Sequence, residues 1–245
     1  MSSRLEGEAE QRLLALEQEL TARALAQDMM IHDVRNPLSS IISIADMLSA
    51  RAASEDDKVW IMRILELGHR TLNILKATAG YARMERGNHD LEASRFDLLT
   101  CLEAALGKLT TLQESRSLTV ERSLDGHPFT EASACWVEGD RFFLEQLFHN
   151  LITNALEASP PRGTVSISLQ MRQSLVVVIH NQGVVPVELR DKIFDKLSSY
   201  QSLRGGGLGG YIAKLVAEQH GGTVHFTTDE QQGTTFTVEL PILSG

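Results

Sequence analysis

Three groups of residues in this chain have types and spacings that can do chemistry. The first is His32-Asp33, with Asn36 one helical turn further on the histidine's side. A neutral imidazole is a nucleophile near pH 7, and an adjacent carboxylate can accept its other N–H and favour the attacking tautomer. Neighbouring helical side chains do not normally face each other, so that contact depends on rotamer. Arg35 flanks the same surface. Pro37 removes a backbone hydrogen bond just downstream, which should bend or loosen the helix. The second group is Asn150 and Asn154, an i, i+4 pair whose carboxamide oxygens could ligate a hydrated Mg²⁺ without adding charge beside phosphates. Read alone, such a pair serves equally as caps or surface hydrogen-bonding groups. The third is Gly205-Gly206-Gly207-Leu208-Gly209-Gly210, directly ahead of a helix. Glycines let backbone N–H groups approach a phosphate, and a helix N-terminus favours anions. No Lys-Ser/Thr follows, so this is not a Walker loop. Arg204 can reach a phosphate or stand as a solvated loop charge, and both readings stay open.

The elements that must position these groups fall into two textures. From Glu8 to Ala50 the chain reads as one long helix, with Leu13, Leu16 and Leu20 starting an apolar stripe. The stripe then alternates by three and four through Ile31, Val34, Leu38, Ile41, Ala45 and Leu48, the seam of a coiled coil or bundle. Heptad position turns His32 outward if Ile31, Val34 and Leu38 turn in. Arg51 to Lys58 is a short polar connection. A second helix carries Ile61, Leu65, Gly68, Leu72, Leu75, Ala79 and Ala82 on one face and fades at Arg86-Gly87-Asn88. Two helices cannot enclose a core, but two such hairpins can, which predicts a homodimer through the N-terminal helices.

Beyond Gly87, Phe96 to Leu112 and Asp140 to Ala158 read as helices, and Val165 to Leu169 and Leu175 to Ile179 as paired strands. Leu208 to His220 returns to helix and stops at Gly221-Gly222. Val224 to Thr227 and Thr235 to Leu240 form another hairpin. The expected fold class is α+β: a long antiparallel helical hairpin forming a dimeric four-helix bundle, then an α/β sandwich. The corresponding domains are 1–90, with an N-terminal coiled-coil extension, and 91–245.

The string His32-Asp33-Val34-Arg35-Asn36-Pro37-Leu38 resembles the phosphoacceptor box of sensor histidine kinases of two-component systems. Phe148-His149-Asn150-Leu151-Ile152-Thr153-Asn154-Ala155, followed by Leu156-Glu157-Ala158-Ser159-Pro160, resembles their asparagine box. Gly205-Gly206-Gly207-Leu208-Gly209 resembles their second glycine box, with Phe194 where a phenylalanine box belongs, and Gly233-Thr234-Thr235-Phe236 completes the order. The resemblance runs from about Met30 to Pro241. It implies phosphorylation of His32 by ATP, Asp33 as the base, and Asn36 orienting water when phosphate leaves the partner. It makes residues 1–90 the dimerisation and phosphotransfer part and 91–245 the catalytic ATP-binding part, of the type shared by gyrase, chaperone and mismatch-repair ATPases. It implies Asn154 as the Mg²⁺ ligand and Asn150, Asn181, Gly183, Arg204, Gly205, Gly207, Gly209 and Thr234 as nucleotide-binding residues, Thr234 supporting the adenine contact. The phosphoryl group would pass on to an aspartate of a response-regulator receiver domain, the catalytic part swinging about the Gly87 region.

The chain departs from the family at its first glycine box, His180-Asn181-Gln182-Gly183-Val184-Val185-Pro186. Asn181 replaces the aspartate that accepts from the adenine amino group, and Val185 replaces the second glycine. A neutral amide is a weaker acceptor than a carboxylate, and turned over it would donate to a guanine oxygen. The lid before the glycine run, about Leu197 to Gln201, is short. These two features support a rival reading, a degenerate kinase that signals as a scaffold. Asn36 supports another, a response-regulator phosphatase. Asn150, standing where gyrase-type ATPases carry a glutamate base, disfavours water as the acceptor. A net charge of -9 excludes an ordinary nucleic-acid binder. Cys101 and Cys135 lack metal-ligand spacing, which fits a reducing cytoplasm. No apolar run approaches a membrane span, so sensor input is expected from outside these residues.

Overall fold

The computed structural model describes residues 2–49, 54–87, 90–130, 133–196 and 208–241. The chain divides into two compact units, Met1–Ala82 and Arg83–Gly245.

In the first unit, helix α1 (Ser2–Ser49) runs unbroken through Pro37, and helix α2 (Glu55–Glu85) follows. Ser54 sets the start of α2: its hydroxyl accepts from Asp57 N at 3.1 Å and donates to Asp57 Oδ2 at 2.6 Å. This cap carries the helix back through Glu55 to Lys58, which the sequence had assigned to the connection. The rest of that connection, residues 51–53, and the side chains of Leu13, Leu16 and Leu20 lie outside the described residues. The two helices meet closely at Gly68, where an added Cβ would lie 2.6 Å from Ile42 Cγ1.

The expected seam of α1 splits in two. Ile31, Ile42 and Ala45 are buried and Leu38 half-buried, whereas Val34, Ile41 and Leu48 are exposed, together with Ile44 and Met47. One neighbouring helix can cover only one stripe, and a helix of 3.6 residues per turn drifts off a heptad. On α2 the whole expected stripe, Ile61 to Ala82, is buried or half-buried. The helix ends where Gly87 turns left-handed at φ 67° and its N–H reaches Met84 O at 3.0 Å.

The second unit is a layer of helices on a six-stranded sheet. Strand β1 (Ser94–Asp97) pairs with β4 (Trp136–Gly139) in a small separate sheet. Helix α3 (Leu98–Gly107) and the short α4 (Thr110–Ser115) replace the single helix expected from Phe96. Asp97 sets the later start: its Oδ1 accepts from Leu99 N at 3.1 Å and from Cys135 N at 2.8 Å, so it caps the helix and ties it to the residue before β4.

Strands β2 (Thr119–Leu124), β3 (His127–Pro128), β5 (Thr164–Met171), β6 (Ser174–Asn181), β7 (Thr223–Asp229) and β8 (Gly233–Pro241) lie in the order β3-β2-β5-β6-β8-β7. Among the described residues only β2 and β5 pair in parallel. The β2–β3 turn uses left-handed Asp125 and Gly126, a hairpin signal the sequence reading passed over. Helix α5 (Arg141–Ala158) packs between α3 and α7 (Gly209–Gln219) and against β6; a single turn, α6 (Val187–Arg190), precedes α7. Asp140 caps α5, accepting from Phe142 N at 3.1 Å and Phe143 N at 3.3 Å.

Alternation governs the sheet. Leu175, Val177 and Ile179 of β6 and Phe236, Val238 and Leu240 of β8 are buried, as are Leu147, Phe148, Leu151 and Ile152 of α5, which packs on β6. Cys101 and Cys135 belong to this interior. Burial pushes the Cys101 thiol up to about 12 and that of Cys135 to about 11, so neither is a ready thiolate.

Candidate functional site

On α1, His32 is exposed, its side chain retaining 67% of its accessible surface. The contact that depended on rotamer is made: His32 Nδ1 lies 3.4 Å from Asp33 Oδ1. With its proton on Nδ1, the imidazole donates to the carboxylate and keeps the Nε2 lone pair for solvent-side chemistry. Asn36 is exposed one turn along, and Ser40 Oγ donates to the Asn36 carbonyl at 3.1 Å. That bond supports the backbone beside Pro37, which has no N–H of its own to give.

In the second unit, Asn150 and Asn154 are half-buried on α5. A Cβ built on Gly209 would lie 3.5 Å from Asn150 Cβ and 3.6 Å from the Oδ1 atoms of Asn150 and Asn154. The two amide oxygens therefore stand beside the first turn of α7. Leu208, at its N-cap, makes no side-chain cap hydrogen bond, and the leading N–H groups of a helix favour an anion. Gly210 is required for packing: its Cβ would fall 2.1 Å from Ile193 O. Arg204, Gly205, Gly207 and the lid residues Leu197 to Gln201 lie outside the described residues. Phe194 packs edge-on to Phe226, centroids 5.7 Å apart, as part of an aromatic cluster with Phe236.

The third component forms at the ends of β6 and β8. Asn181 and Thr234 are direct partners in the register and both are buried, at 1% and 2% exposure. Each is the polar end of an apolar inward-facing series. Thr234 Oγ1 donates to Gly183 O at 2.8 Å. Having spent its proton there, it accepts from Thr228 Oγ1, also at 2.8 Å, while Thr228 accepts from Val185 N at 3.1 Å. This relay fixes the loop after β6. Gly183 closes it: a Cβ would lie 2.1 Å from Ala158 O. Thr228 was missed in the sequence, because only the strand register places it opposite Thr234. Asn181 Oδ1 is a buried acceptor with no partner among the described residues. A buried acceptor without a partner among the described residues, a helix N-terminus and two neighbouring amide oxygens suit an amino-bearing base, a phosphate and a hydrated divalent cation respectively.

Two charges shape the far side of α5. Lys108 pairs with Glu145. Burial, with the Lys108 ammonium nearby, holds the His149 imidazole below its ordinary value, Glu145 opposing. His149 is thus a neutral donor or acceptor within the fold near pH 7.

Residues 139–244 match the family described as histidine kinase-, DNA gyrase B-, and HSP90-like ATPase. The catalytic domain of histidine kinase ThkA is similar in structure, at TM-score 0.53 and 26% identity over 62% of this chain and 96% of that one. The second unit therefore holds a domain of this ATPase type. Similarity also runs through the helical unit. Autoinducer 2 sensor kinase/phosphatase LuxQ of Vibrio parahaemolyticus is 26% identical over 97% of this chain, and histidine protein kinase DivJ of Caulobacter vibrioides 27% over 91%. The chain spans only 29% and 37% of those two relatives. Full-length ShkA, solved with AMPPNP, shares the fold over 90% of this chain at TM-score 0.61 and 18% identity. The chain is thus similar to sensor histidine kinases along most of its length.

Proposed function

We propose that this chain is the core of a sensor histidine kinase that phosphorylates itself on His32 from ATP-Mg²⁺ and passes the phosphoryl group to an aspartate of a response-regulator receiver domain. The observation that carries the reading is the exposed His32 ring, with Nδ1 against Asp33. Bound ATP-Mg²⁺ would supply the γ-phosphoryl group. His32 Nε2 forms the new bond to phosphorus as the bond to the β,γ-bridging oxygen breaks and ADP leaves; the Nδ1 proton passes to Asp33. Asn154, beside Asn150, would hold the cation, the N–H groups that open α7 would face the phosphates, and Asn181 with Thr234 would take the base. Positioning and charge stabilisation would do most of the work, as in phosphoryl transfer generally.

Residues 1–90 serve as the dimerisation and phosphotransfer domain and 91–245 as the catalytic domain, with the homodimer made through α1 and α2. The exposed apolar residues Val34, Ile41, Ile44 and Leu48 support that assembly. Among the described residues no helix is long and apolar enough to cross a membrane; a cytoplasmic site of action, with sensor input supplied elsewhere, fits the reading. A second activity, dephosphorylation of the regulator, is favoured by the exposure of Asn36 beside His32 and by the kinase/phosphatase named among the relatives. Incubation with γ-labelled ATP and Mg²⁺, followed by mass-spectrometric mapping, tests the proposal. Acid-labile phosphate on His32 is expected, and label mapped to any other residue overturns the assignment.

A further inference from the structure

Helix α5 carries Asn150 and Asn154, yet its own last turn has no basic residue to meet the carbonyls left over there. The charge comes from another element. Arg116, the C-cap of α4, lays its guanidinium across the end of α5: Nη1 donates to Glu157 O and Nη2 to Ser159 O, each at 2.7 Å. Its backbone joins in, Arg116 O accepting from Arg162 N at 2.9 Å. The two carbonyls held by the guanidinium flank Ala158, and Ala158 is the residue against which the loop after β6 rests. A Cβ on Gly183 would fall 2.1 Å from Ala158 O and 2.6 Å from its carbonyl carbon. Gly183 O in turn accepts from Asn181 Nδ2 at 3.4 Å and from Thr234 Oγ1 at 2.8 Å. Backbone lies against backbone here, with no flexible side chain between. A displacement of Ala158 is therefore passed to Gly183 and on to both buried side chains.

We propose that Arg116 is a positioning residue for nucleotide binding: its guanidinium fastens the end of α5 against Gly183 and thereby holds Asn181 and Thr234 in their binding geometry. The inference rests on the nucleotide-binding reading and adds to it a residue that acts on the site through the backbone of Ala158 and Gly183. The two-pronged contact matters. A planar guanidinium serves two carbonyls at once in a fixed geometry, which an ammonium on a flexible stem does not. Charge alone would complement the helix C-terminus; the fork also fixes Glu157 and Ser159 relative to each other.

The test is calorimetric titration of the full chain with ATP in excess Mg²⁺, together with labelling rates measured across ATP concentration. Arg116→Ala should weaken ATP binding by about tenfold. Its KM for ATP should rise to match, with the labelling rate at saturating ATP within about twofold of wild type, because ground state and transition state lose the same contact. Arg116→Lys should fall between, at about threefold weaker binding. In the double variant with Asn181→Ala the losses should not multiply: it should bind at most about twofold more weakly than the weaker single variant. A merely structural role predicts losses that multiply. Multiplying losses, or binding by Arg116→Ala within about twofold of wild type, overturn the inference and leave nucleotide binding intact. A fall in the saturating rate with KM unchanged overturns it as well. Should the wild type bind no ATP, the nucleotide reading falls and takes the inference with it. If Arg116→Ala does not fold, Arg116→Lys decides, and wild-type affinity in that variant overturns the inference.

Discussion

The two units treat their apolar residues in opposite ways. In the second, Leu147, Phe148, Leu151, Val177 and Val238 are sealed at 0% exposure between helices and sheet. In the first, Val34, Ile41, Ile44, Met47, Leu48, Trp60 and Met62 each keep more than two-fifths of their surface in water. A sheet with a helical layer closes its own core, whereas a hairpin of two helices has one inward seam and must leave its second stripe for another molecule. The same division holds for the chemistry. The histidine is exposed on the first unit; Asn181 and Thr234 are buried in the second.

Phosphorylation is where the contrast breaks most sharply. His32→Gln should take acid-labile labelling to background while the second unit's melting transition stays in place; label that persists would remove the surface histidine from the scheme. Next in size is the core itself. Leu151→Ala should cost about 2–5 kcal/mol in denaturant unfolding, whereas Ile44→Ala, at an exposed position of a single chain, should cost that only if a second chain covers it. Asp33→Asn should slow labelling by roughly 10²-fold without changing stability; an unchanged rate would make the carboxylate a bystander. Ile41→Asp should shift the chain from dimer to monomer in sedimentation and spare nucleotide binding by the second unit. A dimer that survives would mean that the exposed stripe does not form its interface.

The smallest effect concerns acid. Burial keeps His149 below its ordinary value, so the unfolded chain binds its proton first. The stabilisation is complete above the unfolded-state value, about 6.5, and is lost as pH falls through the lower folded-state value. The second unit should therefore weaken on that side of neutrality, and His149→Gln should flatten that part of the pH–stability curve. A variant whose curve keeps the wild-type slope would assign the loss to other groups.

How much could be read beforehand followed from how far apart the cooperating residues lie. His32, Asp33 and Asn36 are neighbours on one helix, so helical geometry set the histidine outward with Asn36 on its side, while the Asp33 contact waited on a rotamer that only the structure supplies. The helices at Arg141 and Gly209 and the hairpins β5–β6 and β7–β8 announced themselves by period and by glycine. Phe96 was misread as helical because its apolar neighbours hid a strand that exists only by pairing with β4. Strand β2 was missed because it lies parallel to β5 and alternates weakly.

The sequence by itself determined the long helices, the hairpins β5–β6 and β7–β8, the outward histidine and the i, i+4 pairing of Asn150 with Asn154, since these need nothing beyond local geometry and period. Only the tertiary structure decided that Gly209 meets both asparagines, that Thr228 stands behind Thr234, and that Asn181 is held by Gly183 with its oxygen unused. Those facts depend on strand register and on which backbone carbonyl happens to be within hydrogen-bond reach, and no local pattern in the chain encodes either.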